Sequence, residues 1–518
     1  MDKAQSEALK DYYESRDYMV EVLREVGIDV TTRAGQATLM KMSDVMSGEK
    51  GRRVFVDENG NKKFLKKITA ELIPIEVGGK TIHITEAELI DLLATFHDMS
   101  NVRQFIDYKA PLEHRKASQI EKDAIRLTLE DIIKIQNLGS ELNGGRAAKI
   151  AEAMVLYSNG PLAQSLEEWS VGKHGFSIVS EDTHWSRKRR SWKANEEAPD
   201  LMRKGIVRGG LETAGVTKGR VNNDNPMIIS DAFSKFNNMA WTISGINHLG
   251  PLIRELKSIL SSKEIKEFLY RAERGHEVRT YLNGMIDGLE REYVKGVPLS
   301  AESEQSLRAF RNAFTIGTLA TNLRVALYQV VSTTAGATVI PEKYVALAVG
   351  QRGYEGIGHV SYILAQKAGF NINKETEYER VGRLMNLYSP YLRLRFDSST
   401  MGLVNESGGV EAMALLGTRP KGEWGMKPIQ VMDAWAIRTL WRASEHWVAS
   451  EMGYDAVGED AFWEEVARRT EEVVKRTQPT MDTLHSSATA RETRSGRGGF
   501  WNSLLTLFMS QRNKYLNM

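Results

Sequence analysis

"GGKTIHITEAELIDLLATFHDMSN", Gly78 to Asn101, changes character halfway along. Up to Ile84 it reads as a short strand beyond a Gly78–Gly79 turn. Thr85 followed by Glu88 is a capping box, and Leu89, Leu92, Leu93 and Phe96 continue the apolar face of a helix. A small β element therefore hands over to helix at this point. Everything before the handover is mixed, and after it helices dominate.

Upstream, "RVFVDENGNKKFL" (Arg53 to Leu65) places Asn59–Gly60 between apolar residues, a hairpin signal. Pro74 makes its strand an edge strand. Before these, Tyr13, Tyr18, Met19, Val22 and Leu23 fall near one face of an opening helix that Gly27 can end.

Downstream, a helical stretch from Leu127 to Ser158 is interrupted near Gly144–Gly145. An irregular segment rich in Gly, Ser, Trp and charge follows. Pro251 reads as a helix start ahead of Leu252, Ile253, Leu256, Ile259 and Leu260. Ser261 and Glu264 read as the next capping box, with Gly275 as the stop. Val278, Leu282, Met285, Ile286 and Leu289 form another helical stripe, and Leu307, Phe310 and Phe314 begin a longer one. After Pro428 the chain is helical again through Trp435, Trp441, Trp447 and Trp463.

The expectation is a mainly α protein, an elongated multi-helix body with a small N-terminal β-hairpin element. It divides into an N-terminal helical domain with the β element (1–158), an irregular basic connection or arm (159–225), a central helical domain (226–427) and a C-terminal helical domain (428–518).

The composition is that of a globular protein: 518 residues, 42% hydrophobic and 26% charged. A net charge of +2 creates no global field, so any polyanionic partner must be met by a local patch. Cysteine is absent, which excludes disulfides, thiolate metal sites and cysteine nucleophiles. The first residues are polar and lack the apolar core of a signal peptide. No run approaches the roughly 18 uninterrupted apolar residues of a membrane span. "VALYQVVSTTAGATVI" (Val325 to Ile340) is uncharged but short, and reads as a buried helix.

Motifs for catalysis are weak. "GLETAGVTKGR" and "GTRPKGEWG" are glycine-rich but lack the Lys-Ser or Lys-Thr of a phosphate loop and follow no strand. His97–Asp98 is the sort of pair that metal-dependent phosphohydrolases use, without further ligands at a recognised spacing. Glu445–His446, between Trp441 and Trp447 on a helix, reads as a packed or surface histidine and not a catalytic base, and Glu464–Glu465 and Glu471–Glu472 as a solvated helix face. No enzyme, cofactor or metal site is expected.

The charge is concentrated in one place. "HWSRKRRSWK" (His184 to Lys193) begins it, and from Ser186 to Arg220 ten Lys or Arg face four acids. That segment carries +6 and leaves −4 for the rest. Arg187, Lys188, Arg189, Arg190 and Lys193 are the candidate phosphate contacts, with Trp185 and Trp192 as candidate stacking platforms. A charged loop with tucked tryptophans, or a membrane-surface contact, would use the same residues.

At the other end, Trp501, Leu504, Leu505 and Phe508 follow a basic, glycine-rich linker at helical spacing. They form a stripe for a membrane surface, a partner or the protein's own core.

Four segments, in this order, resemble the large polyvalent proteins of tailed bacteriophages, some of which are internal virion or ejection proteins. They are the opening strand–cap–helix; "NLRVALYQVVSTTAGA" (Asn322 to Ala337) with Gln329; "DAWAIRTLWRASE" (Asp433 to Glu445); and "RTQPTMDTLHSSATARE" followed by "LTLFMSQRNKYLN". Relatives often carry Tyr-x-Pro where this chain reads "HWSRKRRSWK".

The resemblance implies a virion protein packaged inside the capsid and assisting genome delivery. It would meet phage DNA, other virion proteins (portal, tail or internal), further copies of itself in a homo-oligomer, and a host membrane on reaching the cell envelope. It supplies no catalytic residues. The alternatives are a nucleic-acid-binding or scaffolding virion module without an ejection role, and a metal-dependent hydrolase using His97 and Asp98.

Overall fold

The computed structural model describes residues 2–30, 32–43, 53–56, 62–65, 70–97, 105–107, 124–165, 227–289, 333, 335–351, 376–397 and 427–477. Among these, helix dominates and the strands are short, so the protein is mainly α with a small β element near the N-terminus. Contacts group the chain into two units, one built mainly from Met1–Gly275 and the other mainly from later residues.

The first unit opens with α1 (Asp2–Glu25) and α2 (Arg33–Met42). Gly27, at a φ of 85°, ends α1 by turning its N–H back to Arg24 O, while Ile28 N–H bonds Leu23 O. Strands β1 (Arg53–Val56) and β2 (Lys62–Leu65) pair antiparallel around the Asn59–Gly60 position, which itself lies outside the described residues. β3 (Leu72–Val77) and β4 (Lys80–Thr85) form the second hairpin, joined by Gly78 and Gly79 at φ of 55° and 71°. Two consecutive left-handed residues match the twist of a tight hairpin.

Thr85 then caps α3 (Glu86–Thr95) with the full reciprocal box: its hydroxyl accepts from Glu88 N, and the Glu88 carboxylate accepts from Thr85 N. α3 is buried along nearly its whole length, because it packs between α4 (Leu129–Glu141) and α5 (Arg146–Tyr157). At Gly139 the α3–α4 approach is so close that a Cβ would come within 2.5 Å of Leu93 Cδ1.

Short strands β5 (Phe105–Asp107), β6 (Ile125–Arg126) and β7 (Met227–Ile228) make a third sheet. β5 sits in the centre, antiparallel to β6 and parallel to β7. No sequence pattern announced it, since two- and three-residue strands are too short to show a period.

α6 (Ala232–Ser261) follows β7, lies along α1 and also packs on α3. Leu9, Tyr12, Met19 and Leu23 of α1 meet the core with Phe233, Phe236, Ile243 and Ile246 of α6. Pro251, expected at a helix start, lies inside α6: the apolar face on both sides of Gly250–Pro251 keeps the helix running through it. The next helix, α7 (Lys263–Arg271), is capped by Ser262 rather than Ser261. Ser262 Oγ accepts from Ile265 N, whereas Ser261 Oγ donates to Ser258 O. Gly275 begins α8 (Gly275–Leu289) instead of ending α7.

The second unit includes α8 and centres on α11 (Lys427–Met452) and α12 (Asp460–Thr477), with α9 (Glu377–Tyr388) and α10 (Pro390–Asp397) beside them. Gly453 and Gly458, at φ of 92° and 120°, make the turn between α11 and α12. Ile437, Leu440, Trp441, Phe462, Val466 and Val473 form the core. Gly336, in a 3-10 turn at Gly336–Thr338, abuts Leu440. No helix among the described residues is long and apolar enough to cross a membrane.

Candidate functional site

The concentrated basic segment lies between two described stretches of the first unit, which end at Ser165 and resume at Met227. Residues between these points, including Trp185, Arg187, Lys188, Arg189, Arg190, Trp192 and Lys193, lie outside the described residues. The described residues do contain the two attachment points. Both are fixed by polar contacts, Ser165 to Asn247 of α6 and Ser230 to Asp91 of α3.

The exit follows α5, whose last turn widens into a π-turn at Ser158–Leu162 around Pro161. Ser165 then receives a hydrogen bond from Asn247 Nδ2 on α6. At the next residue of α6, His248 Nε2 bonds Asp11 Oδ2 of α1 at 2.7 Å, and nearer the start of α6 Tyr12 OH donates to Asn237 Oδ1 at 2.8 Å in the interior. These polar pairs set the register of α6 along α1, which apolar contacts alone leave free to slide.

The return point is a buried charge cluster. Ser230 N–H donates to Asp91 Oδ2 at 3.0 Å and its hydroxyl to the same oxygen at 3.4 Å. Lys235, one turn into α6, donates its ammonium to Asp91 Oδ1. The side chains of Lys235 and Asp91 are only 8% and 3% exposed. Asp231 is the N-cap of α6, accepting from Ser234 N at 2.8 Å, and its other oxygen accepts from the Ser43 hydroxyl at the end of α2.

Burial pushes the Asp231 carboxyl above the ordinary range. The negative charge of Asp91 adds to the rise, and the hydrogen bonds from Ser43 and Ser234 offset part of it. The cluster thus ties α2, α3 and the start of α6 together just after the described chain resumes at Met227.

The sequence reading gave no weight to Ser43, Asp91, Ser230, Asp231 or Lys235. The available signal was the run Ser230-Asp231 ahead of a helical stripe, which is an N-cap signature.

Other candidates resolve into structural roles or lie outside the described chain. His97 is exposed just past α3; Asp98 is outside the described residues. Among the described residues no group of three or more His, Asp or Glu could hold a metal ion. His446 bonds Gln351 at 2.7 Å, and Glu445 is clamped by Arg442 at 2.8 Å and Arg380 at 3.2 Å. Glu471, expected on a solvated face, instead accepts from Ser389 Oγ at 2.6 Å at the start of α10. Trp501, Leu504, Leu505 and Phe508 also lie outside the described residues.

No protein-family model, curated protein or solved structure matches the chain.

Proposed function

We propose that this chain is an internal virion protein of a tailed bacteriophage. It is carried in the capsid, contacts the genome through the Ser186–Arg220 segment and assists its delivery into the host. The observation that supports the DNA-binding part is that the chain flanking that segment is anchored on both sides, Ser165 to Asn247 of α6 and Ser230 to Asp91 of α3. A body with net charge −4 is thereby held to a segment of +6, so binding to a polyanion is directed to one region. The virion part rests on the order of the four segments that resemble phage polyvalent proteins and on the absence of disulfide cross-links that would oppose passage through a narrow tail. Portal, tail and internal proteins, a second copy of the chain and the host membrane are the partners this reading implies.

The test has two arms. In the first, duplex DNA affinity of the full chain is measured against salt, with Arg187, Lys188, Arg189 and Arg190 all changed to Ala in a second sample. Loss of about four phosphate contacts lowers affinity and flattens the log–log salt slope by about 3.6; an unchanged slope and affinity reject this segment as the DNA contact. In the second, the chain is located in purified particles. Presence inside the head supports the ejection reading. Absence from particles rejects it and leaves a nucleic-acid-binding module.

A further inference from the structure

Asn-Gly pairs occur in the chain at Asn59, Asn143, Asn159 and Asn283. The first lies outside the described residues, and the other three sit on different backbones. Asn283–Gly284 is within α8, and Asn159–Gly160 is within the π-turn that prolongs α5. Asn143–Gly144 lies at the break between α4 and α5, where Asn143, Gly144 and Gly145 take φ of 51°, 70° and 77°. Asn143 is the single non-glycine residue at positive φ among the described residues. Gly144 is exposed, and even an added Cβ there would meet nothing within 4 Å.

We propose that Asn143 is a site of spontaneous covalent modification, deamidation through a succinimide, and that its product loosens the docking of α3 on α5. In the first step the Gly144 backbone nitrogen gives up its proton and bonds to Asn143 Cγ. The Cγ–Nδ2 bond breaks, and ammonia leaves. Water then opens the ring at either carbonyl, giving aspartate or isoaspartate. The step needs no oxidant, and water is the one co-reactant.

Glycine in second place removes the side chain that would hinder attack. The attack also requires rotation at Asn143. Within α8 the same rotation breaks the hydrogen-bond ladder on both sides. At the α4–α5 break the ladder is already interrupted, and leaving the left-handed region relieves the steric penalty that a residue with a Cβ carries there.

The consequence follows from what the amide touches. Asn143 Nδ2 donates to Glu86 Oε2 at 3.2 Å. Glu86, with a side chain 6% exposed in the first turn of α3, is also held by Arg146 Nε and Nη2 at 2.6 and 2.5 Å. After deamidation a donor becomes a like-charged acceptor beside Glu86, and the two carboxylates compete for one guanidinium. Isoaspartate also inserts a methylene into the main chain at a junction built from three left-handed residues.

The test is peptide mapping of the whole chain after incubation in mildly alkaline buffer. The Asn143 peptide should convert about tenfold faster than those of Asn159 and Asn283, a difference of about 1.4 kcal/mol in activation free energy. Equal rates, or faster conversion in the helical pairs, overturn the proposal. The coupling is read with Asn143→Asp, which should melt at a lower temperature than the parent, the loss being suppressed when Glu86→Gln is also present. If Asn143→Asp melts with the parent, the coupling is rejected. Should that variant fail to fold, the deamidated fraction of aged parent, separated by charge, replaces it. A lower urea midpoint than the unmodified fraction supports the coupling, and a shared midpoint overturns it.

Discussion

Asp231 and Ser43 are 188 positions apart, yet they join the N-cap of α6 to the residue that ends α2. The Asp231 carboxyl links the two helix ends, one oxygen capping α6 through Ser234 N–H and the other accepting from the Ser43 hydroxyl. Its raised pKa means that the folded state holds the proton more tightly than the unfolded state does. The stabilising contribution is therefore full below the ordinary carboxylate range and is lost as pH rises through the raised value. Asp231→Asn keeps a capping side chain and has no charge to lose. Its melting temperature relative to the parent should rise with pH, whereas Asp231→Ala should cost about 1 kcal/mol of capping. Thermal melts across pH check this; parallel profiles for parent and Asp231→Asn would count against it.

Lys235 and Asp91 are a buried pair, and truncating one leaves the other charged in a dry site. Lys235→Met alone should lower unfolding free energy by about 3–5 kcal/mol, and adding Asp91→Leu should recover much of that loss. Urea unfolding of the single and double variants measures it. Strict additivity of the two losses would show that the pair is not coupled.

Gly139 offers a test of the α3–α4 contact. Gly139→Ala gains helix propensity but drives a methyl into Leu93, so the net effect should be destabilising by about 1–3 kcal/mol. Gly284→Ala in α8 meets nothing within 4 Å and should stabilise by about 1 kcal/mol. The contrast between the two, read by denaturant midpoint, is more informative than either value. A stabilising Gly139→Ala would mean that Leu93 has room to move aside.

Glu465, hydrogen-bonded by Arg468 and then by Arg469, is held down at about 2. Its contribution is present above the ordinary carboxylate range and fades as pH falls from about 4.5 toward 2. Glu465→Gln should therefore match the parent at the acid end and fall below it at neutral pH. The loss stays within about 1 kcal/mol because solvent reaches the pair. A deficit that persists at the acid end would point to packing instead of charge.

Long stripes were legible in the sequence, because α1, α11 and α12 each repeat the helical period several times, and Thr85–Glu88 is a local device that needs no distant partner. The hairpins were legible because Asn-Gly and Gly-Gly are demanding about backbone. What escaped was set by distant residues. Pro251 breaks a helix in isolation, but here packing on α1 carries α6 through it. β5, β6 and β7 are strands only because their partners come from positions far apart in the chain. The cluster at Asp91 draws on α2, α3 and α6, so no window of sequence contains it. Ser261 and Ser262 are equivalent as letters, and the cap went to the one whose neighbour could begin α7.

Because Asn247 holds the exit and Asp91 the return, the stretch between Ser165 and Met227 is a closed circuit on one body. The entropy of closing such a circuit grows only with the logarithm of its length, about 0.6 kcal/mol for each doubling. Lengthening or shortening that stretch should leave the melting of the first unit almost unchanged. Evolution can then exchange it as a cassette without renegotiating the helices on either side of it.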